Sequence, residues 1–307
     1  MGTKTALFAR NQVGGMFHVE DQSLTTGDRW FVHSGTGTDG AGYGQNPDSP
    51  CATIDYAIGL CTASKGDVIY VMPGHAENVT TATGINCDVI GVTIIGLGEG
   101  DLIPTVSFTA AAGSVTVSVA SVTIKNIKFV ANFATGVTTG FTIAAGADGL
   151  TLDGIRMHDT SAANEFLIHA SIATGVDRLT IKNCRFIGLA GTMSGSLVFA
   201  GTSLDTEICH NYWRVDSSDS VIHHDTGVAS NMYLHHNAII NIDTNTAEYC
   251  AEFKTGSTGC AHDNRFGYNK VDAEVSKGDA MFWFENYASN TIAESGLLDP
   301  ATSHSIP

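Results

Sequence analysis

Apolar and polar residues alternate in a short motif that returns along the chain with a nearly constant step. It reads Val92-Thr93-Ile94-Ile95-Gly96-Leu97, Val122-Thr123-Ile124-Lys125-Asn126-Ile127, Leu150-Thr151-Leu152-Asp153-Gly154-Ile155 and Leu179-Thr180-Ile181-Lys182-Asn183-Cys184. It then continues as Thr206-Glu207-Ile208-Cys209-His210-Asn211 and Met232-Tyr233-Leu234-His235-His236-Asn237, with a weaker copy at Gly259-Cys260-Ala261-His262-Asp263-Asn264. The central residues Ile94, Ile124, Leu152, Ile181, Ile208, Leu234 and Ala261 step by 30, 28, 29, 27, 26 and 27. Each copy is a short strand with one apolar face. A strand of that length cannot bury its face alone, so the period predicts a solenoid in which neighbouring coils cover one another.

Aligned copies define columns. Two positions after the central aliphatic stand Gly96, Asn126, Gly154, Asn183, His210, His236 and Asp263. Gly, Asn, Asp and His are enriched at positive φ, so this column predicts a corner where the chain leaves the strand. The next position is apolar at Ile127 and Ile155, passes through Cys184, and becomes Asn211, Asn237 and Asn264. Amides stacked at one coil spacing predict a hydrogen-bonded ladder. Further on, Phe129, Met157, Phe186, Trp213, Ile239 and Phe266 form a bulky column that should fill the interior.

A second strand set falls between the first: Phe141-Thr142-Ile143, Phe166-Leu167-Ile168, Leu197-Val198-Phe199, Val221-Ile222-His223 and Ala251-Glu252-Phe253, closed by Met281-Phe282-Trp283-Phe284. Two or three strands per coil make the expected fold an all-β, right-handed parallel β-helix. The hand follows from the crossover rule for parallel strands. Eight or so coils at roughly 4.8 Å give a rod of about 40 Å. Upstream, Ile54, Ala57, Ile58 and Cys61 recur at helical spacing between Thr53 and Ala63, ahead of Gly66 as a stop. This short amphipathic helix is expected to cap the first coil, whose strand edge would otherwise be open. The predicted organisation is an N-terminal arm over 1–27, a leading strand and capping helix over 28–66, coils over 67–292 and an extended tail over 293–307.

Composition narrows the partners. The formal charge is −16, from 31 acidic and 15 basic residues. No basic stripe exists to neutralise phosphates, so nucleic acid and anionic membranes are not expected partners. No apolar run is long enough for a membrane span. The seven cysteines show neither C-x-x-C nor zinc-site spacing, and they read as reduced core thiols. No leader peptide is visible after Met1, so synthesis and folding in a cytoplasm are expected. The arm carries Phe8, Met16, Phe17 and Val19, more large apolar residues than a solvated tail needs, and is expected to dock on a neighbour.

Three segments carry a resemblance. Asp28-Arg29-Trp30-Phe31-Val32-His33-Ser34-Gly35, Pro47-Asp48-Ser49-Pro50-Cys51-Ala52-Thr53-Ile54-Asp55-Tyr56-Ala57-Ile58 and Lys65-Gly66-Asp67-Val68-Ile69-Tyr70-Val71-Met72-Pro73-Gly74 resemble the opening of pectate-lyase-like β-helix proteins. The match spans roughly residues 28 to 100; the later coils agree by pattern. The wording around Met72-Pro73-Gly74-His75-Ala76-Glu77 is similar to structural proteins of tailed bacteriophages. The resemblance implies the fold strongly and the activity weakly, because this scaffold carries lyases, hydrolases, adhesins and viral spikes.

Members that cleave acidic polysaccharides use outward carboxylates and a basic residue. Here the candidates are His223, His224 and Asp225 on one coil, Glu252 and Lys254 on the next, and Arg214 nearby, able in principle to form an acid/base pair. Exposed strand positions of any β-helix carry such residues, and no tight carboxylate cluster is visible. His210, His236 and Asp263 share the corner column and could in principle hold a transition metal. Corner geometry accounts for them equally well, so no metal is expected, nor any cofactor. His235 and His262 read as surface positions and Trp213 as core. No phosphate loop, nucleophile elbow or nucleotide fingerprint occurs.

The resulting expectation is a structural protein of a phage virion, a capsid decoration (cement) or spike-like component. It would be homotrimeric, with the arm contacting a major capsid or other virion protein. The alternatives are a tailspike-type polysaccharide lyase or glycoside hydrolase, and a passive carbohydrate-binding β-helix.

Overall fold

A computed structural model describes residues 26–189, 193–243, 249–267 and 281–289 in full, and the backbone alone at 9–10, 17–18, 268, 276–277 and 295–297. The predicted arm and tail therefore lie almost wholly outside the described residues.

The chain winds as an all-β, right-handed parallel β-solenoid with very little helix. The repeated motif forms the first of three long sheets. Its strands are Arg29–Val32, Val68–Val71, Thr93–Gly96, Thr123–Lys125, Thr151–Asp153, Thr180–Lys182, Glu207–Cys209, Met232–His235, Gly259–His262 and Phe282–Phe284. After the corner comes the second sheet, from Ala76–Val79 to Tyr287–Ser289, closed by the antiparallel Ser295–Leu297. The third runs from Ile85–Cys87 through Gly195–Phe199, Ile222–His224 and Ala251–Glu252 to Ser276–Lys277.

Register follows the alignment of the sequence. Ile94, Ile124, Leu152, Ile181, Ile208, Leu234 and Ala261 are successive partners and point inward. The bulky column also stacks inside, from Phe129 through Met157, Phe186, Trp213 and Ile239 to Phe266. Phe186 and Trp213 lie face to face, centroids 4.8 Å apart. Two assignments need correction: Phe282-Trp283-Phe284 belongs to the first sheet, paired with Cys260-Ala261-His262, and does not close the third, and the third-sheet strand beside Phe141–Ile143 is Ile168–Ile172, with Phe166 and Leu167 ahead of it.

The corner column is left-handed as its residue types require, with φ of 51° at Asn126, 67° at Gly154, 56° at Asn183, 56° at His210, 55° at His236 and 54° at Asp263. Glu285 extends it at 54°. Gly96 does not belong to it. That residue is still in its strand, where a Cβ would lie 2.0 Å from the Asn126 carbonyl oxygen, so glycine serves a close approach rather than a turn. A second left-handed column precedes the first sheet, at Ser121, Gly149, Arg178, Asp205 and Asn231.

Directly after the corner, the asparagine ladder is continuous and buried. Asn237 Oδ1 accepts from the Asn211 backbone N–H and from Asn211 Nδ2, both at 3.0 Å. Asn237 Nδ2 donates to the Ile208 carbonyl at 2.8 Å and to Asn264 Oδ1 at 3.0 Å. Asn264 repeats the pattern with Asn286, a fourth member that the sequence alignment does not reach. Each amide thus ties its own coil to both neighbours.

The capping helix is Ile54–Leu60, shorter than expected; it ends at Cys61, before Gly66. Thr53 caps it by accepting from the Tyr56 N–H, and Ile54, Ala57 and Ile58 bury its apolar face. His75 and Glu77 fasten it. The Ser34 N–H donates to His75 Nδ1 at 3.0 Å, so the proton sits on Nε2 and faces Glu77 Oε2 at 3.1 Å. That oxygen also accepts from the Ile54 N–H. The resemblance-bearing His75 and Glu77 therefore have a structural task. His75→Ala is expected to lower stability by about 2 kcal/mol, because it orphans a buried donor. Hydrogen exchange should quicken at Ser34 and Ile54 first; uniform exchange along the rod would contradict that linkage.

Candidate functional site

Outward positions of the third sheet carry the proposed acid/base residues. The strand Ile222–His224 pairs with Gly195–Phe199 on one side and Ala251–Glu252 on the other. Inward and outward alternate, so Ile222 and His224 fall in the core while His223 lies on the outer side beside Glu252, covered by its neighbours to 5% exposure. This corrects the expectation for His224. Its ring is fully buried, stacked on Phe199 at 4.4 Å, with Nε2 3.1 Å from Ser203 Oγ. Burial drives its pKa down to about 4, with His223 and Lys254 adding to the effect.

His223 occupies the place expected of His224. Its Nε2 lies 3.1 Å from Asp225 Oδ1 and 3.9 Å from Asp219 Oδ2, and its Nδ1 is 2.8 Å from the Ser220 carbonyl oxygen. Gly195 makes the space, since a Cβ there would meet His223 Cε1 at 2.7 Å. Glu252 accepts from Ser220 Oγ at 3.0 Å and faces Lys254 Nζ at 3.6 Å. Asp225 thus meets the His223 imidazole, while Glu252, the register partner of His223, pairs with Lys254 and Ser220. Arg214 does not join them, because its strand Tyr212–Val215 lies in the second sheet. Chemically the patch offers an imidazole between carboxylates and an ammonium beside a carboxylate. Asp219 and Asp225 face the imidazole, and Glu252 faces a hydroxyl and an ammonium.

A second constellation surrounds the corner. His210 and His236 stack along the corner column with ring centroids 4.9 Å apart. One residue earlier, Cys209, His235 and His262 are register partners at the end of the first sheet. The rings of His235 and His262 are parallel, 5.1 Å apart. The two columns therefore abut. His235 Nδ1 is 2.9 Å from His236 Nδ1, His262 Nδ1 is 2.8 Å from Asp263 Oδ2, and His236 Nε2 is 3.8 Å from the same oxygen. Glu207 closes one side, 3.2 Å from His235 Nε2. Burial lowers the His235 pKa against the pull of Glu207, and the hydrogen bond from His262 lowers that of Asp263. His235 and His262 are half-buried and contribute to this cluster, where the sequence reading left them as isolated surface residues.

All seven cysteines are free. Burial holds their thiols protonated, as at Cys184, pushed up to about 12, and Cys209, pushed up to about 11 with Glu207 contributing.

No family model matches this sequence, and neither does any curated protein. Among solved structures the chain is similar to a rhamnogalacturonan lyase at 13% identity and a TM-score of 0.42, covering 89% of this chain and 90% of that one. It is also similar to a GH136 lacto-N-biosidase from Eubacterium ramulus at 10% identity and a TM-score of 0.39, covering 82% and 67%. Likenesses this remote carry no residue roles to the present chain.

Proposed function

We propose that this chain is a rigid structural protein of a bacteriophage particle, a decoration or spike-like rod that works by self-association as a homotrimer. One observation supports the reading above the rest. The outer wall of the last coils exposes Tyr233, Phe282, Phe284 and Tyr287, at 45%, 70%, 47% and 55%. Tyr233 and Phe282 lie in the same outward column, on either side of Cys260. Aromatic surface concentrated at one end of a rod is a mark of an interface. Copies that each carry a charge of −16 repel one another, so an apolar contact has to hold them together. Symmetric pairing of this end would also hide the last strand edges. The particle assignment rests on the resemblance of the wording around Met72-Pro73-Gly74-His75-Ala76-Glu77 to tailed-phage structural proteins, with the arm over 1–27 as the element that would reach a shell protein.

Light scattering on the full chain is the test. The expected mass is three times 32.2 kDa, falling in the double variant Phe282→Ser, Phe284→Ser with unchanged circular dichroism. A wild-type monomer at micromolar concentration overturns the reading. The His223 patch favours a second reading, cleavage of an acidic polysaccharide. Release of unsaturated or reducing sugar ends that is lost in Asp225→Ala and Glu252→Ala would establish it; binding without turnover would leave a carbohydrate-binding rod.

A further inference from the structure

The histidine-rich corner does something the rest of the corner column does not require. At equivalent positions Asn126 Nδ2 donates to the carbonyls of Gly96 and Gly98, and Asn183 Nδ2 donates to Asp153. Asparagine and glycine suit positive φ and satisfy the turn. From His210 onward the column changes character, and so does its neighbour. Register partners that read Lys125, Asp153 and Lys182 become Cys209, His235 and His262. Four imidazoles, a thiol and a carboxylate converge over three coils, although asparagine or glycine satisfies the same corner at Asn126, Gly154 and Asn183.

The donor atoms fall into two sets. In the first, one ligand atom each from His236, His262 and Asp263 lie within 4.8 Å of one another; in the second, the same holds for Cys209, His210 and His235. Ligands about 2.0–2.3 Å from a shared ion stand roughly 3–4 Å apart, so small side-chain rotations close either set. The two sets touch through the 2.9 Å contact between His235 Nδ1 and His236 Nδ1. Facing ring nitrogens at that distance hold at most one proton between them, so at least one of the two is an unprotonated nitrogen.

We propose that this corner is a transition-metal site, with His236, His262 and Asp263 as one ligand set and Cys209, His210 and His235 as an adjoining one. Two imidazoles with a carboxylate, and two imidazoles with a thiolate, select borderline first-row divalent ions such as zinc, cobalt or nickel over magnesium or calcium. Binding displaces the proton shared by His235 and His236 and releases the Cys209 thiol proton to solvent. Glu207, hydrogen-bonded to His235, orients the second set. The ligands come from three successive coils, so a bound ion staples them together. This inference does not depend on the structural role proposed above.

The experiment is zinc titration of the full chain after chelator treatment, followed by calorimetry and thermal melting. Zinc is expected to bind with a micromolar or tighter Kd and, at a hundredfold excess over Kd, to raise Tm by about 5 °C, with no response to magnesium or calcium. The double variant His236→Asn, Asp263→Asn keeps residue types the corner accepts. It should bind zinc at least tenfold more weakly while its metal-free Tm is unchanged. His210→Asn, at an exposed position, guards against a folding defect in that variant and should weaken binding at the second set. Cobalt should give a sulfur-to-metal charge-transfer band that Cys209→Ser abolishes. A zinc response no larger than that to magnesium, or an unchanged Kd in the double variant, overturns the site. No such band in the wild-type chain overturns the thiolate set.

Discussion

Asn237→Ala is expected to lower the unfolding free energy by about 4 kcal/mol. The substitution removes two donated and two accepted hydrogen bonds inside the wall of the solenoid. It leaves the Asn211 backbone N–H and the Ile208 carbonyl without these partners in a place where Asn237 itself is only 2% exposed. A buried polar group deprived of its partner costs about 1–3 kcal/mol, and two or more are deprived here. Asn237→Asp should be worse still, because the charged oxygen that replaces Nδ2 would face both Asn264 Oδ1 and the Ile208 carbonyl with nothing to donate. Denaturant unfolding measures the loss. Leu204→Ala, at an exposed position outside the aromatic surface of the last coils, is the control and should stay within about 0.5 kcal/mol. A loss below about 1 kcal/mol for Asn237→Ala would mean that the ladder is decorative.

Acid should unfold the rod through histidines that never meet water. His169 lies in the core, and Ser196 Oγ accepts from Trp213 Nε1 at 2.8 Å while meeting His169 Nδ1 at 2.8 Å. The other ring nitrogen of His169, Nε2, is buried with no hydrogen-bond partner. Burial lowers its pKa from 6.5 to about 3, as it lowers that of His224 to about 4. Both folded values lie below the unfolded one, so the unfolded chain binds more protons under pH 6.5. Their contribution is complete above pH 6.5 and is lost as the pH falls. Near pH 5 each has cost about 2 kcal/mol, about 4 kcal/mol together. Asp159 works in the opposite direction. Burial raises its pKa to about 7, so its share of stability is complete at low pH and is lost as the pH rises through 7. The variant His224→Phe, which keeps the stacked ring beside Phe199, isolates one histidine. Its stability should fall less steeply than wild type between pH 6.5 and 5, by about 1.4 kcal/mol per pH unit. Parallel curves for the two proteins would show that His224 is not neutral in the fold.

Much of this architecture could be read from residue types, because a solenoid repeats each constraint once per coil. Asn126, Asn183 and Asp263 mark a left-handed turn, and Asn211, Asn237 and Asn264 mark a ladder, since few other residues satisfy those positions. Where the repeat loosens, legibility fails. The last coil takes 22 residues from Asn264 to Asn286, against 27 from Asn237 to Asn264. Its run Met281-Phe282-Trp283-Phe284 also lacks the alternating polar residue, so the pattern points to the wrong sheet and conceals Asn286. His224 was misplaced because a histidine stands in a column otherwise held by Phe199 and Phe253, and polarity hid the alternation. The second left-handed column is hard to read because Ser121 and Arg178, which do not announce positive φ, interrupt the series of Gly149, Asp205 and Asn231. The metal cluster was half visible: His210, His236 and Asp263 share one column. Its other half, Cys209, His235 and His262, sits one position earlier, and the corner folds the two columns against each other.

The ladder also governs how such a molecule can change over evolutionary time. Its bonds join only adjacent rungs, and Asn211 and Asn237 are separated by 26 residues. A duplication or excision of that stretch would add or delete one complete rung and leave all the others in contact. An event one residue longer would turn the following strand inside out. Reach is therefore inherited in whole turns, and rods of different span can descend from one ancestor by recombination without inventing new packing.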